Sequence, residues 1–84
     1  MKISFTETGW SDYLFWERQD KKTLKRINNL IEDIERNKHD GIEKPEILRN
    51  DMSGWWSRRI DDKNRLIYRI NSNEAVEISQ CKGH

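Results

Sequence analysis

Apolar residues recur along the chain in two rhythms, one helical and one of alternate positions, and the change falls near Gly41. Leu24, Ile27, Leu30, Ile31 and Ile34 are spaced by three, four and seven residues, which places them on one face of a helix opening at Asp20 as its cap. Upstream, Trp10, Tyr13 and Leu14 follow the same spacing and predict a first helix capped by Thr6 or Thr8, preceded by a short strand over Lys2 to Phe5. Asn37 to Glu43 closes the helical half. Beyond it, strands are expected near Glu46 to Leu48, Trp55 to Ile60, Arg65 to Ile70 and Ala75 to Cys81, with turns at Asp61 to Asn64 and Asn71 to Asn73. Alternation puts Leu66, Tyr68 and Ile70 on one face of the third of these strands, and Arg65, Ile67 and Arg69 on the other.

This order predicts an α+β fold in which an N-terminal strand and two helices pack on one face of a twisted, mainly antiparallel sheet of about four strands. The other face should be open and partly cationic. Whether Arg58 or Arg59 shares it with Arg65 depends on hairpin register, because a slip of one residue exchanges the faces. The apolar stripe of the second helix reads as core, since its polar face mixes both signs of charge.

A chain of 84 residues without linker, repeat or low-complexity stretch is expected to form a single domain, 1–84, with a thin core. Hydrophobic content of 33% and a mean hydropathy of −1.10 point toward disorder, but 16 basic and 15 acidic residues nearly cancel. Four tryptophans, two tyrosines and two phenylalanines can support a core poor in aliphatic residues. Trp10 and Trp16 read as core, whereas Trp55 and Trp56 must point to opposite faces of a regular strand. Cys81 is the single cysteine, which rules out an internal disulfide or a cysteine zinc site and suits a reducing cytoplasm. A signal-peptide pattern and a membrane-spanning apolar run are both lacking, so no membrane role is expected.

Charge separates along the chain: residues 1–43 carry 8 basic and 9 acidic side chains, residues 44–84 carry 8 and 6. Between Lys44 and Arg69 seven cations face four anions, and aromatic residues interleave with them in Ser53-Gly-Trp-Trp-Ser-Arg-Arg-Ile60. Such a mixture suits a phosphate backbone and stackable bases. Glu46, Arg65 and His84 add a carboxylate, a fixed cation and an imidazole, the inventory for cutting RNA without a metal or other cofactor. Taken alone, Glu46 and Arg65 also fit ordinary exposed strand residues, and His84 a chain end. His39, in a polar loop, reads as solvent-exposed rather than catalytic, and Cys81 is given no chemistry.

The chain resembles the YoeB branch of the RelE-like bacterial toxins, small messenger-RNA endonucleases that act on the ribosome. The likeness is carried by Trp10-Ser-Asp-Tyr-Leu-Phe-Trp16, Asp20-Lys-Lys, Arg26-Ile-Asn-Asn-Leu-Ile31, Gly41 with Lys44-Pro-Glu46, Ser53 to Ile60, Asn64-Arg-Leu-Ile-Tyr68 and Cys81-Lys-Gly-His84. It spans essentially the whole sequence, and the order and spacing of these segments are specific. The resemblance implies a type II toxin that enters the A site of the 70S ribosome and cleaves the mRNA held there through the RNA's own 2′-hydroxyl. It further implies a YefM-like antitoxin and a homodimer. In that family Glu46 corresponds to the general base, Arg65 to the group that stabilises the phosphate, and His84 to the general acid. Lys44, Arg49, Arg58 and Arg59 are the expected substrate-binding cations, Arg49 standing where relatives often carry lysine. Two other classes use related scaffolds: a ParE-like toxin that inhibits gyrase by binding, and an inactive module that binds RNA or antitoxin.

Overall fold

The computed structural model describes residues 2–83. Strand β1 (Ile3–Phe5) leads into helices α1 (Glu7–Gln19) and α2 (Lys21–Asn37), followed by β2 (Glu46–Ile47), a 3-10 turn (Asn50–Met52), β3 (Trp56–Arg59), β4 (Arg65–Ile70) and β5 (Val76–Gln80). The α+β architecture expected from the sequence is present. Its sheet has five strands rather than about four, in the order β1-β5-β4-β3-β2, because the short first strand pairs in parallel with the last. The other junctions are antiparallel.

Local chemistry sets the helix boundaries. Thr6 caps α1 by accepting from Gly9 N at 3.0 Å, while its hydroxyl donates to the Ser79 carbonyl at 2.8 Å and ties the helix start to β5. Gly9 is required by that closeness, since a Cβ there would overlap the carbonyl of Ile78. The carboxylate of Asp20 caps α2, accepting from Thr23 N at 3.2 Å and from the Thr23 hydroxyl at 2.7 Å. Ile27, Leu30, Ile31 and Ile34 of α2 and Trp16 of α1 meet Ile60, Leu66, Tyr68, Val76, Ile78 and Cys81 in one cluster. Burying each aliphatic side chain contributes about 1.5–3 kcal/mol. Trp10, expected in the core, instead lies half exposed on α1, stacked on Tyr13 at 5.9 Å and set edge-on to Phe5 at 5.5 Å. Among the described residues, no helix is long and apolar enough to cross a membrane.

A charged residue also belongs to this interior. Arg58 is fully buried, pairing with the carboxylate of Asp33 from α2. All five of its N–H donors are used: Nη1 on Asp33 and the Ile42 carbonyl (3.2 Å), Nη2 on the carbonyls of Lys38 (2.7 Å) and Asp40 (2.6 Å), and Nε on the Tyr68 hydroxyl (3.4 Å). Arg58 thus fastens the segment leaving α2 to the sheet and is no substrate contact, contrary to the sequence expectation. Its register explains why: Arg58 lies opposite Leu66, on the helix-facing side of the sheet.

Burial works against ionisation of Asp33, but hydrogen bonds from Arg58, Asn37 and the Ile42 N–H win and hold its carboxyl below the ordinary value of 3.8. With the folded value depressed, the pair's stabilisation is complete above that value and is lost as pH falls through the lower one. Arg58→Met should cost about 3–5 kcal/mol in urea denaturation, because Asp33 loses its counter-ion and three carbonyls each lose a hydrogen bond. The stability gap between wild type and Asp33→Asn should narrow on acidification below about pH 4; a gap independent of pH would show that Asp33 is not ionised in the fold.

Candidate functional site

Register determines which side chains share the open face of the sheet. Glu46 pairs with Ser57, Ser57 with Ile67, and Arg59 with Arg65, so Glu46, Ser57, Arg59 and Arg65 all project away from the helices. Of the two adjacent arginines, it is therefore Arg59 that stands beside Arg65. Glu43, Lys44, Glu46, Arg59 and Arg65 line an open depression of about 440 Å³ on this face.

Within it, the Arg65 guanidinium lies 3.9 Å from the Glu46 carboxylate and 3.4 Å from the Ser57 hydroxyl, to which it donates. Arg65 is about one-third exposed and Glu46 about two-thirds, so both remain open to an incoming molecule. Arg59 leans on Asp62 across the turn. Lys44 has no ion-pair partner among the described residues, and it follows Glu43 in the left-handed region, at φ 35° and 60°. Non-glycine residues rarely hold that conformation, least of all before a proline, so the backbone bends sharply on entering Glu46. Arg49, expected among the substrate cations, is exposed at the start of the 3-10 turn and does not line the depression.

Charge elsewhere on the face is neutralised. Arg69 binds Glu77 at 2.7 Å and lies over the Trp55 ring at 4.4 Å. Trp56, on the opposite face from Trp55 as expected, packs at the edge of the core, with the exposed His39 ring stacked on it at 4.1 Å. Burial, followed by the charge of Arg58, pushes the His39 imidazole below its ordinary value and favours the neutral ring.

The C-terminal segment is fastened at two points, the second of them beside the backbone of Arg65. Trp16 Nε1 donates to the Cys81 carbonyl at 2.8 Å, and the Asp12 carboxylate accepts from Cys81 N at 3.0 Å. Gly83 N then donates to the Asn64 side chain at 2.8 Å, and Arg65 N donates to the Gly83 carbonyl at 3.0 Å. The residue bonded to His84 is therefore fixed to the backbone of Arg65. His84 itself lies outside the described residues. The roles of Asn64 and Ser57 were not read from the sequence; Asn64 stands in a turn-forming run, and only the strand register reveals Ser57 beside Arg65. Burial, with the Asp12 carboxylate adding to it, pushes the Cys81 thiol up to about 12, which leaves it protonated and unreactive. Among the described residues no group of three or more His, Cys, Asp or Glu converges as a metal-binding cluster.

Known proteins share this arrangement of elements over the full chain. A family model described as a YoeB-like toxin of bacterial type II toxin-antitoxin system matches residues 5–84. The Toxin YoeB of Synechocystis is 52% identical over 84 residues, which is 100% of this chain and 96% of that protein. A solved YoeB/ParE toxin from Agrobacterium tumefaciens superposes with a TM-score of 0.95 at 42% identity, covering 100% of this chain and 99% of the other. YoeB of Staphylococcus aureus, solved in complex with YefM, gives 0.92 at 38% identity over 100% and 97% of the two chains; a YoeB dimer from that organism has also been solved. With a family model spanning nearly every residue and full-length relatives at this identity, the chain belongs to the YoeB-like toxins of bacterial type II toxin-antitoxin systems.

Proposed function

We propose that the protein is a ribosome-dependent endoribonuclease, one toxin domain over residues 1–84, that cleaves mRNA in the A site and so halts translation. The observation that carries this reading is the meeting of Glu46 and Arg65 at 3.9 Å where the backbone of Gly83 is pinned to Arg65. In the proposed reaction the Glu46 carboxylate removes the proton of the 2′-hydroxyl, and O2′ attacks the adjacent phosphorus. The bond to the 5′-oxygen breaks, and His84 as imidazolium protonates the departing oxygen. Arg65 stabilises the charge that builds on the phosphoryl oxygens, where a planar fork of donors outperforms a point charge. Lys44 and Arg59, on the rim of the same depression, hold flanking phosphates. Arg49, exposed beyond β2, would contact the strand only outside the depression. These steps need no metal.

Partners follow from the same surface. Relatives from Staphylococcus aureus are seen with YefM and as a YoeB dimer, which supports a YefM-like antitoxin and a homodimer here. An acidic, extended antitoxin segment laid over the depression would neutralise its cations and bar the RNA. The purified complex should therefore cleave ribosome-bound message far more slowly than the free toxin; equal rates would discard occlusion.

The nuclease reading is tested on message held in ribosomes. Wild type should cut it, leaving a 2′,3′-cyclic phosphate and a 5′-hydroxyl, and a 2′-deoxyribose at the cut position should block the reaction. Glu46→Gln should lower kcat about 10²- to 10⁴-fold, and Arg65→Lys about 10²- to 10³-fold although its charge is kept. Intact message with wild-type toxin would overturn the proposal, and concurrent loss of gyrase supercoiling would favour the ParE-like class.

Asn64 supplies a positioning test. Asn64→Ala removes the acceptor for Gly83 N at a cost of about 1–2 kcal/mol in stability, and should reduce kcat about 10- to 100-fold with little change in KM. An unchanged kcat in the folded variant would show that the tether does not align the tail.

A further inference from the structure

The depression around Arg65 does not end at its rim. Glu43 and Arg59 also line a second hollow of about 300 Å³, which continues to Arg26 on α2. Arg26 in turn lines a third, of about 470 Å³, formed on the solvent face of α2 by Lys22, Thr23, Lys25 and Asn29. The three hollows are thus neighbours, each sharing lining residues with the next, from the candidate site to the helix.

At the helix end the charge is one-sided. Residues 21–31 hold Lys21, Lys22, Lys25 and Arg26 and no acidic side chain, although the whole chain carries only +1. Lys22, Lys25, Arg26 and Asn29 stand at i, i+3, i+4 and i+7, on the side of α2 opposite its core stripe. All three cations are exposed, and none is in an ion pair among the described residues. The middle hollow also carries three acidic groups, Glu43, Asp61 and Asp62, of which the two aspartates are already engaged. Asp61 accepts from Lys63 N, Asn64 N and the Asn64 side chain, and Asp62 is held by Arg59. Arg26 is close enough to Asp61 to help hold its carboxyl low, but does not bond to it.

A surface of unpaired cations with polar amide and hydroxyl groups between them, opening into a nuclease depression, has the chemistry of a phosphodiester track. We propose that this face of α2 is a second RNA-binding site, taking the RNA backbone beyond the cut position through Lys22, Lys25 and Arg26. The site extends the endonuclease reading above and rests on it for the direction of the strand. Its contacts are to phosphate, so it contributes affinity and orientation without sequence preference.

The test uses the free toxin, a 2′-O-methyl RNA of about 15 nucleotides that cannot be cut through its 2′-oxygen, and empty 70S ribosomes, with affinities read at several salt concentrations. The variant K22Q/K25Q/R26Q replaces exposed side chains only and should fold normally. It should bind the oligonucleotide at least about tenfold more weakly, with a salt slope smaller by about 2, as expected for three lost phosphate contacts to a single strand. Arg36→Gln, which removes a cation from the far end of the same helix, should leave both unchanged. Loss toward the oligonucleotide assigns the track to the message strand, and loss toward ribosomes alone assigns it to ribosomal RNA; either supports the site. Wild-type affinity and salt slope of the triple variant toward both ligands would overturn it. A toxin that cuts message while the triple variant binds normally refutes the track alone. A toxin that cuts nothing, with a triple variant that binds poorly, refutes the nuclease reading and leaves the track standing.

Discussion

One guanidinium inside the fold determines where the working groups can be. Arg58 has no exposed surface and fills every N–H it owns, four of its five partners lying in α2 or in the five residues after it. A segment such as Lys38-His-Asp-Gly-Ile42 has few apolar side chains with which to bury itself, and its carbonyls would otherwise face water. Arg58 replaces that water. By fastening these carbonyls to β3 it fixes the path of the chain into Glu43, Lys44 and Glu46, and hence the distance between the candidate base on β2 and the arginine on β4. Replacing such a buried cation with a good apolar fit need not weaken a protein in general. Here the acceptors belong to irregular backbone, and no apolar side chain can satisfy them.

The sheet then acts as a partition. Side chains that hold the structure together point toward the helices, among them Arg58, Leu66, Tyr68 and Ile78, while Glu46, Ser57, Arg59 and Arg65 point the other way. Cations that the core has no use for can remain on that open face at modest cost, because solvent screens them. Arg69 shows the contrast. It is paired with Glu77 and covered by Trp55, whereas Lys44 has no ion pair among the described residues.

Much of this was legible in the sequence, and what was not shares a cause. The limits of β4, the Asp20 and Thr6 caps and the α2 stripe follow from spacing and local hydrogen bonding, which depend on near neighbours in the chain. Glu46 and Arg65 were singled out through family resemblance, and the structure places them side by side. Arg58 was misread because its neighbour Arg59 carries the same charge and composition cannot tell which faces inward. One-residue register decides it, and register is a property of the pairing with β4. The parallel pairing of β1 with β5, which made the sheet five strands wide, joins residues more than 70 positions apart and leaves no local mark. Trp10 was assigned to the core by its spacing, yet it lies past the edge of the apolar stripe, where Tyr13 and Phe5 cover only part of its ring.

The tail follows the same logic from the other end of the chain. Cys81 is gripped by Trp16 and Asp12, both on α1, and Gly83 by Asn64, just before β4, and by Arg65, its first residue. A segment this short has no core of its own, so its position is determined by elements folded before and beside it. The indole of Trp16 is held in the central cluster and the Arg65 backbone in the sheet, which ties the tail to both. Glu46 arrives through the Arg58-fastened loop, Arg65 on a central strand and Gly83 through this double grip. Three separate anchors thus converge on one end of the sheet, and the proposed reaction would depend on each of them, since such chemistry is sensitive to ångström-scale placement.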